Sequence, residues 1–187
     1  MDIENSHNTQ EFDAIQSDIS KILEYKEKGY LFHGSTKNDI EVIEPRQATD
    51  TDPNNTFNND LAVFASTIPD TCIFGLLNTD SVPTNLLDGS IKVGTNKGDH
   101  LEVEIPLSWR QYMENNTGTL YILPSESFEG SGLGWQVKSK TSVKPVDKIF
   151  VTFKHFEALG GKIIWVDAQK KRKEVRRFKS RSHHHFR

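Results

Sequence analysis

The sequence predicts an α+β domain with antiparallel strand pairing. Apolar runs of strand length outnumber helical segments and gather in the second half of the chain. The helix-per-strand alternation of a doubly wound parallel sheet is missing. At 187 residues, with 35% hydrophobic and 10% aromatic side chains, the chain has the material for one core. The expected organisation is an N-terminal helix within residues 1–28 packed on the domain, a main domain over 29–168, and a basic, flexible tail over 169–187.

Taken in order, residues 9–28 place Phe12, Ile15, Ile19, Ile22 and Leu23 at helical spacing, with Asn8 or Thr9 as cap and Gly29 as stop. Tyr30 to His33 is apolar without helical period and reads as a strand; Ile40 to Ile43 reads as a short strand or turn. The polar stretch from Gln47 to Asn59 is a loop too long for a simple connector. Leu61 to Ala65 reads as a buried strand, and Pro69 to Leu77 as a helix carrying Ile73, Phe74 and Leu76. Asn78 to His100, rich in Gly, Asn, Asp and Thr, resembles an insertion.

Beyond it, Leu101, Val103 and Ile105 alternate with Glu102 and Glu104, the period of a half-exposed strand. Strands follow at Gly118–Pro124, Trp135–Lys140 and Asp147–Phe153, then a short helix near His155–Leu159 and a last strand at Lys162–Val166. Gly130 to Gly134 lies between strands with no helix after it, and reads as a flexible turn.

Composition narrows the function classes. A lone cysteine, Cys72, excludes an internal disulfide, and no Cys or His pair stands at zinc-ligand spacing. His183-His184-His185 sits in the basic tail and reads as exposed, so no metal site is expected. No apolar run reaches the ~18 residues of a membrane span, and the acidic start is unlike a signal peptide; a cytoplasmic protein with no membrane contact is expected. Nine of the 23 Lys and Arg residues fall in 169–187 beside one acid, leaving 14 basic against 25 acidic side chains in the rest. An acidic body with a basic tail points to a polyanion such as nucleic acid, or to a tail that only solvates. Sequence signatures for a P-loop, a dinucleotide-binding Gly-rich turn, a serine nucleophile elbow and a zinc protease helix are all absent.

What remains is an ordered series. His33-Gly34-Ser35 ends one strand, Phe64-Ala65-Ser66 ends another, and Glu126 and Glu129 follow the strand ending at Pro124. This series resembles the ADP-ribosyltransferase superfamily in its His-Tyr-Glu, diphtheria-toxin-like branch, and within it the rifampicin-modifying ADP-ribosyltransferases. The likeness covers Gly29 to Phe150, apart from the insertion.

The resemblance implies a split antiparallel sheet with flanking helices and NAD as substrate. His33 would bond a ribose hydroxyl, with Ser35 on the same ribose and Gly34 offering bare backbone to the nicotinamide amide. Phe64, with Ser66 beside it, would stack on the nicotinamide, and Arg46 would reach the pyrophosphate. Glu129, or else Glu126, would stabilise the oxocarbenium-like ribose as nicotinamide leaves.

From the residues alone, His33 also reads as a buried histidine bonded to a backbone carbonyl, Phe64 as core, and either glutamate as surface. Two functions are therefore carried forward. One is an NAD-dependent mono-ADP-ribosyltransferase acting on an unassigned acceptor: a protein, nucleic acid or small molecule. The other is a catalytically inactive nucleotide- or nucleic-acid-binding module on the same fold.

Overall fold

A computed structural model of the chain describes residues 3–48, 57, 59–87, 89–95, 100–130 and 134–167, with side chains from Thr9 onward. Most of the loop over 47–59, the centre of the glycine-rich turn, the triple histidine and the basic tail lie outside the described residues. The elements are α1 (Ile3–Glu27), β1 (Leu31–Ser35), β2 (Arg46–Gln47), β3 (Leu61–Ser66), a 3-10 helix (Pro69–Cys72) running into α2 (Ile73–Leu76), and a 3-10 turn (Thr84–Leu86). Then come β4 (Lys92–Thr95), β5 (Leu101–Pro106), a 3-10 turn (Leu107–Trp109) leading to α3 (Arg110–Met113), β6 (Thr117–Leu123), β7 (Glu129–Gly130), β8 (Gln136–Ser139), β9 (Asp147–Thr152), α4 (Phe153–Ala158) and β10 (Lys162–Val166).

They build two sheets. The larger runs β7-β8-β3-β1-β6-β9, with β2 also against β3, and the smaller runs β10-β5-β4. The α+β class holds, but pairing is not antiparallel throughout: β10 lies parallel to β5, from Lys162 opposite Glu102 to Val166 opposite Pro106. The stretch expected to be an insertion supplies β4, which pairs with β5 along its whole length.

Alternation along β1 divides the large sheet into two faces. Phe32 joins the main core with Ile73, Leu76, Leu120, Ile122 and Ile149 under the helices, whereas Leu31 joins a smaller core with Ile43, Val63, Ala65, Tyr121 and Val143. Burying such an aliphatic or aromatic side chain is worth about 1.5–3 kcal/mol, so this alternation fixes which face of β1 meets the helices. In the expected strand at 40–43 only Ile43 pairs, in a single bridge to Val143. Tyr121 holds that connection down: its hydroxyl donates to the Lys37 carbonyl at 3.0 Å and accepts from the Ile40 N–H at 3.0 Å.

Helix α1 starts earlier than its pattern indicated, so Asn8 and Thr9 lie inside it rather than capping it. Ile15, Ile19 and Ile22 enter the main core, but Phe12 and Leu23 are exposed, at 61% and 43%. At the other end of the domain the Thr152 N–H donates to His155 Nδ1 at 3.2 Å. That leaves Nε2 to carry the ring proton and face Asp18 on α1 at 3.4 Å, so one imidazole both closes the start of α4 and ties it to α1. The expected helix from Pro69 is 3-10 in its first turn, and the helical segment from Leu107 to Met113 was not indicated by the pattern.

Candidate functional site

Strands β1 and β3 share one register pair, Phe32 with Ser66. Past it they are joined through a side chain, His33 Nδ1 lying 2.8 Å from the Phe64 carbonyl oxygen. A carbonyl only accepts, so Nδ1 carries the proton and Nε2 keeps its lone pair in the neutral ring. Burial pushes the His33 imidazole below its ordinary value; the bond to Phe64 opposes this shift and the positive charge of Arg46 adds to it. The histidine is thus a bonded, neutral group at the point where the large sheet parts.

A cavity opens on each side of this bridge, and both are lined by His33 and Phe64. The first, of about 220 Å³, is walled by Phe32, Gly34, Ser66 and Thr71 together with Phe74, Trp135 and Gln136. Strand period explains most of this set. Phe32 and Gly34 face one way on β1, Phe64 and Ser66 face the same way on β3, and Gln136 stands opposite Ser66 on β8. The second cavity, of about 150 Å³, is more polar in character, with Ser35, Glu44, Arg46 and Gln47 in its wall.

Four of the expected site residues, His33, Gly34, Phe64 and Ser66, therefore meet around one cavity, while Ser35 and Arg46 meet His33 in its neighbour. The two serines also have local work. Ser66 Oγ accepts from the Ile68 N–H at 2.9 Å and Ser35 Oγ accepts from the Lys37 N–H at 3.2 Å, so each hydroxyl proton remains to be donated. The Phe64 ring meets Phe57 edge-on, centroids 5.7 Å apart at 80°. A flat aromatic wall is present, without the hydroxyl a tyrosine would bring.

Neither expected acid stands in a cavity wall. Glu126 and Glu129 are exposed and line neither cavity; Glu129 sits on β7 opposite Lys138 of β8. Among the described residues no carboxylate lines the aromatic cavity.

The polar side chain that β8 does bring there is Gln136. Its Oε1 is buried and has no hydrogen-bond partner, a condition that costs about 1–3 kcal/mol unless a ligand relieves it. Gln136 lies on the strand expected at Trp135–Lys140, observed as Gln136–Ser139. The signal for Gln136 was the alternation itself, which sets Gln136 and Lys138 on the face opposite Val137 and Ser139. Phe74, carried on the same helix as the buried Ile73 and Leu76, is 42% exposed at the cavity wall. Cys72, by contrast, is fully buried behind the site, and burial pushes its thiol up, so it packs as a small hydrophobe.

In chemical terms the cleft offers an aromatic chamber for a flat ring, a neutral imidazole at its mouth, an unpaired amide oxygen in its wall and a guanidinium in the adjoining chamber. Comparison with protein-family models, with curated proteins and with solved structures finds no match to this chain.

Proposed function

We propose that this protein is ADP-ribosyltransferase-like and binds NAD in the cleft where β1 and β3 part, holding the dinucleotide without rapid turnover. One observation carries the reading: His33, Gly34, Phe64 and Ser66, far apart in sequence, surround a single cavity in which, among the described residues, no carboxylate stands. The nicotinamide ring lies against Phe64 and Trp135, where offset or edge contacts with flat rings favour it. His33 Nε2 accepts from a ribose hydroxyl, and Arg46 in the neighbouring chamber takes the pyrophosphate in the two-pronged geometry that suits a guanidinium. With no carboxylate among the described residues of the aromatic cavity, the reading favours binding over transfer, because the leaving step needs negative charge beside the ribose.

Titration of the purified protein with NAD tests this, following tryptophan fluorescence together with released nicotinamide. Saturable quenching with negligible release is expected. Because burial holds the His33 imidazole below its ordinary value, affinity should stay flat from pH 8 to about 7 and weaken only as acid protonates the ring. The absence of binding at millimolar NAD would remove the reading, as would an unchanged affinity in His33→Ala.

A second reading rests on the charge split: the net +8 carried by 169–187 against −11 in the remainder suits a nucleic acid or another polyanion. It concerns the tail and is independent of the cleft.

A further inference from the structure

We infer that Gln136 is the group in the cavity wall that reads a ligand hydroxyl, and that its neutrality is what makes the site hold a ribosyl-nicotinamide bond rather than break it. This rests on the NAD reading of the same cleft. Three observations support it. Gln136 lines the aromatic cavity, its Oε1 is buried without a partner, and its register opposite Ser66 turns it to the same face as Phe64. The wall it shares with Phe32, Phe64, Phe74 and Trp135 also holds the Ser66 hydroxyl, yet no bond joins Ser66 to Gln136, so the buried Oε1 is left an acceptor that a ligand donor would satisfy.

The ligand chemistry that fits is a hydroxyl next to a flat heteroaromatic ring, as in the ribose of a nucleoside. An amide oxygen satisfies such a hydroxyl but adds no net charge. Departure of nicotinamide breaks the bond between its ring nitrogen and the ribose carbon, and the bonding pair leaves with the nitrogen. The ribose carbon becomes electron-poor until the oxygen of water bonds to it, giving ADP-ribose, nicotinamide and a proton. A carboxylate at residue 136 would stabilise that positive charge, whereas the amide stabilises ground state and transition state nearly alike and so supports binding without acceleration.

The test compares wild type with Gln136→Glu and Gln136→Met, using NAD as the probe. Wild type should bind NAD and release almost no nicotinamide, while Gln136→Glu should raise release by about a hundredfold at saturating NAD. Gln136→Met keeps the volume and removes the acceptor, so it should melt near wild type yet bind NAD about tenfold more weakly. If wild type binds NAD but Gln136→Glu releases no more nicotinamide than wild type, or Gln136→Met binds equally well, the role of Gln136 is overturned while the NAD reading stands. Rapid release by wild type would overturn it too. Failure of wild type to bind NAD would strike the underlying reading, a result these other outcomes do not resemble.

Discussion

Gly34 shows how one residue satisfies two demands at once. A Cβ built there would lie 2.4 Å from the Thr71 carbonyl oxygen and 3.3 Å from Cys72 Cα. A methyl at Gly75 would reach the Ser35 carbonyl oxygen at 2.7 Å, and one at Gly118 the Gly75 carbonyl oxygen at 2.5 Å. Three glycines therefore let β1, α2 and β6 press backbone on backbone behind the cleft. The sequence suggested that Gly34 is bare to admit a ligand; packing already requires it to be bare. Gly34→Ala should cost about 1–3 kcal/mol by urea denaturation without NAD, the range for overfilling a packed site. Unchanged stability with weaker NAD binding would return the glycine to a purely ligand-facing role. That His33 closes a strand was legible, because apolar residues precede it and turn formers follow. Its partner, the Phe64 carbonyl, was not, since no local pattern names a contact 31 residues away. The acids show the same limit: Glu126 and Glu129 fit by order along the chain, and Glu129, paired with Lys138, which pairs with Phe64, shares the cleft face but stands two strands away, outside the cavity wall.

At the level of elements, α1 is joined to the sheet by more than its Ile15, Ile19 and Ile22 stripe. Tyr25 donates its hydroxyl to Asp147 Oδ2 at 2.8 Å, and Lys21 pairs with the same oxygen at 2.7 Å. Burial alone would raise the Asp147 carboxyl, but hydrogen bonds from Lys21, Tyr25 and the Lys148 N–H outweigh it and hold the group below its ordinary value. A carboxyl lowered by folding stabilises at every pH above its unfolded value. That stability is lost as pH falls through the folded value, so the clasp is complete at neutral pH and weakens in acid, below about pH 4. Tyr25→Phe should lose about 1 kcal/mol at pH 7, with little difference from wild type remaining once the carboxylate is protonated. Thermal melts across that range check both parts. The helix itself was readable from spacing, although two of its apolar residues were assigned to the wrong surface. Leu23 follows Ile22 by about 100° around the axis and leaves the stripe, and Phe12 is exposed although its neighbour Glu11 still pairs with Lys154 of α4. Both depend on where the neighbouring elements stop, which periodicity along one helix does not encode.

Across the whole molecule, the α+β class and most strands of the large sheet were legible, since alternation and apolar runs report burial directly. Of the second sheet β5 and β10 were legible but β4 was not, because every residue of β4 is exposed and no apolar face announces it. Charge belongs to this scale as well. If the tail recruits a polyanion, removal of residues 169–187 should abolish binding to single-stranded RNA in a gel-shift assay and leave NAD affinity unchanged. With the tail present, binding should fall steeply as salt rises. RNA binding that survives the deletion would shift attention to the body. The parallel seam of β5 and β10 has a further consequence for biosynthesis. Some sixty residues separate Glu102 from Lys162, its partner, so while the chain is being made β5 emerges long before the strand that covers one of its edges. Every strand of the larger sheet precedes β10, which leaves the three-stranded sheet to be finished last. A ribosome that stalls before codon 162 would therefore present an apolar β5 with a bare hydrogen-bonding edge, the form of nascent chain most prone to pair with a stranger.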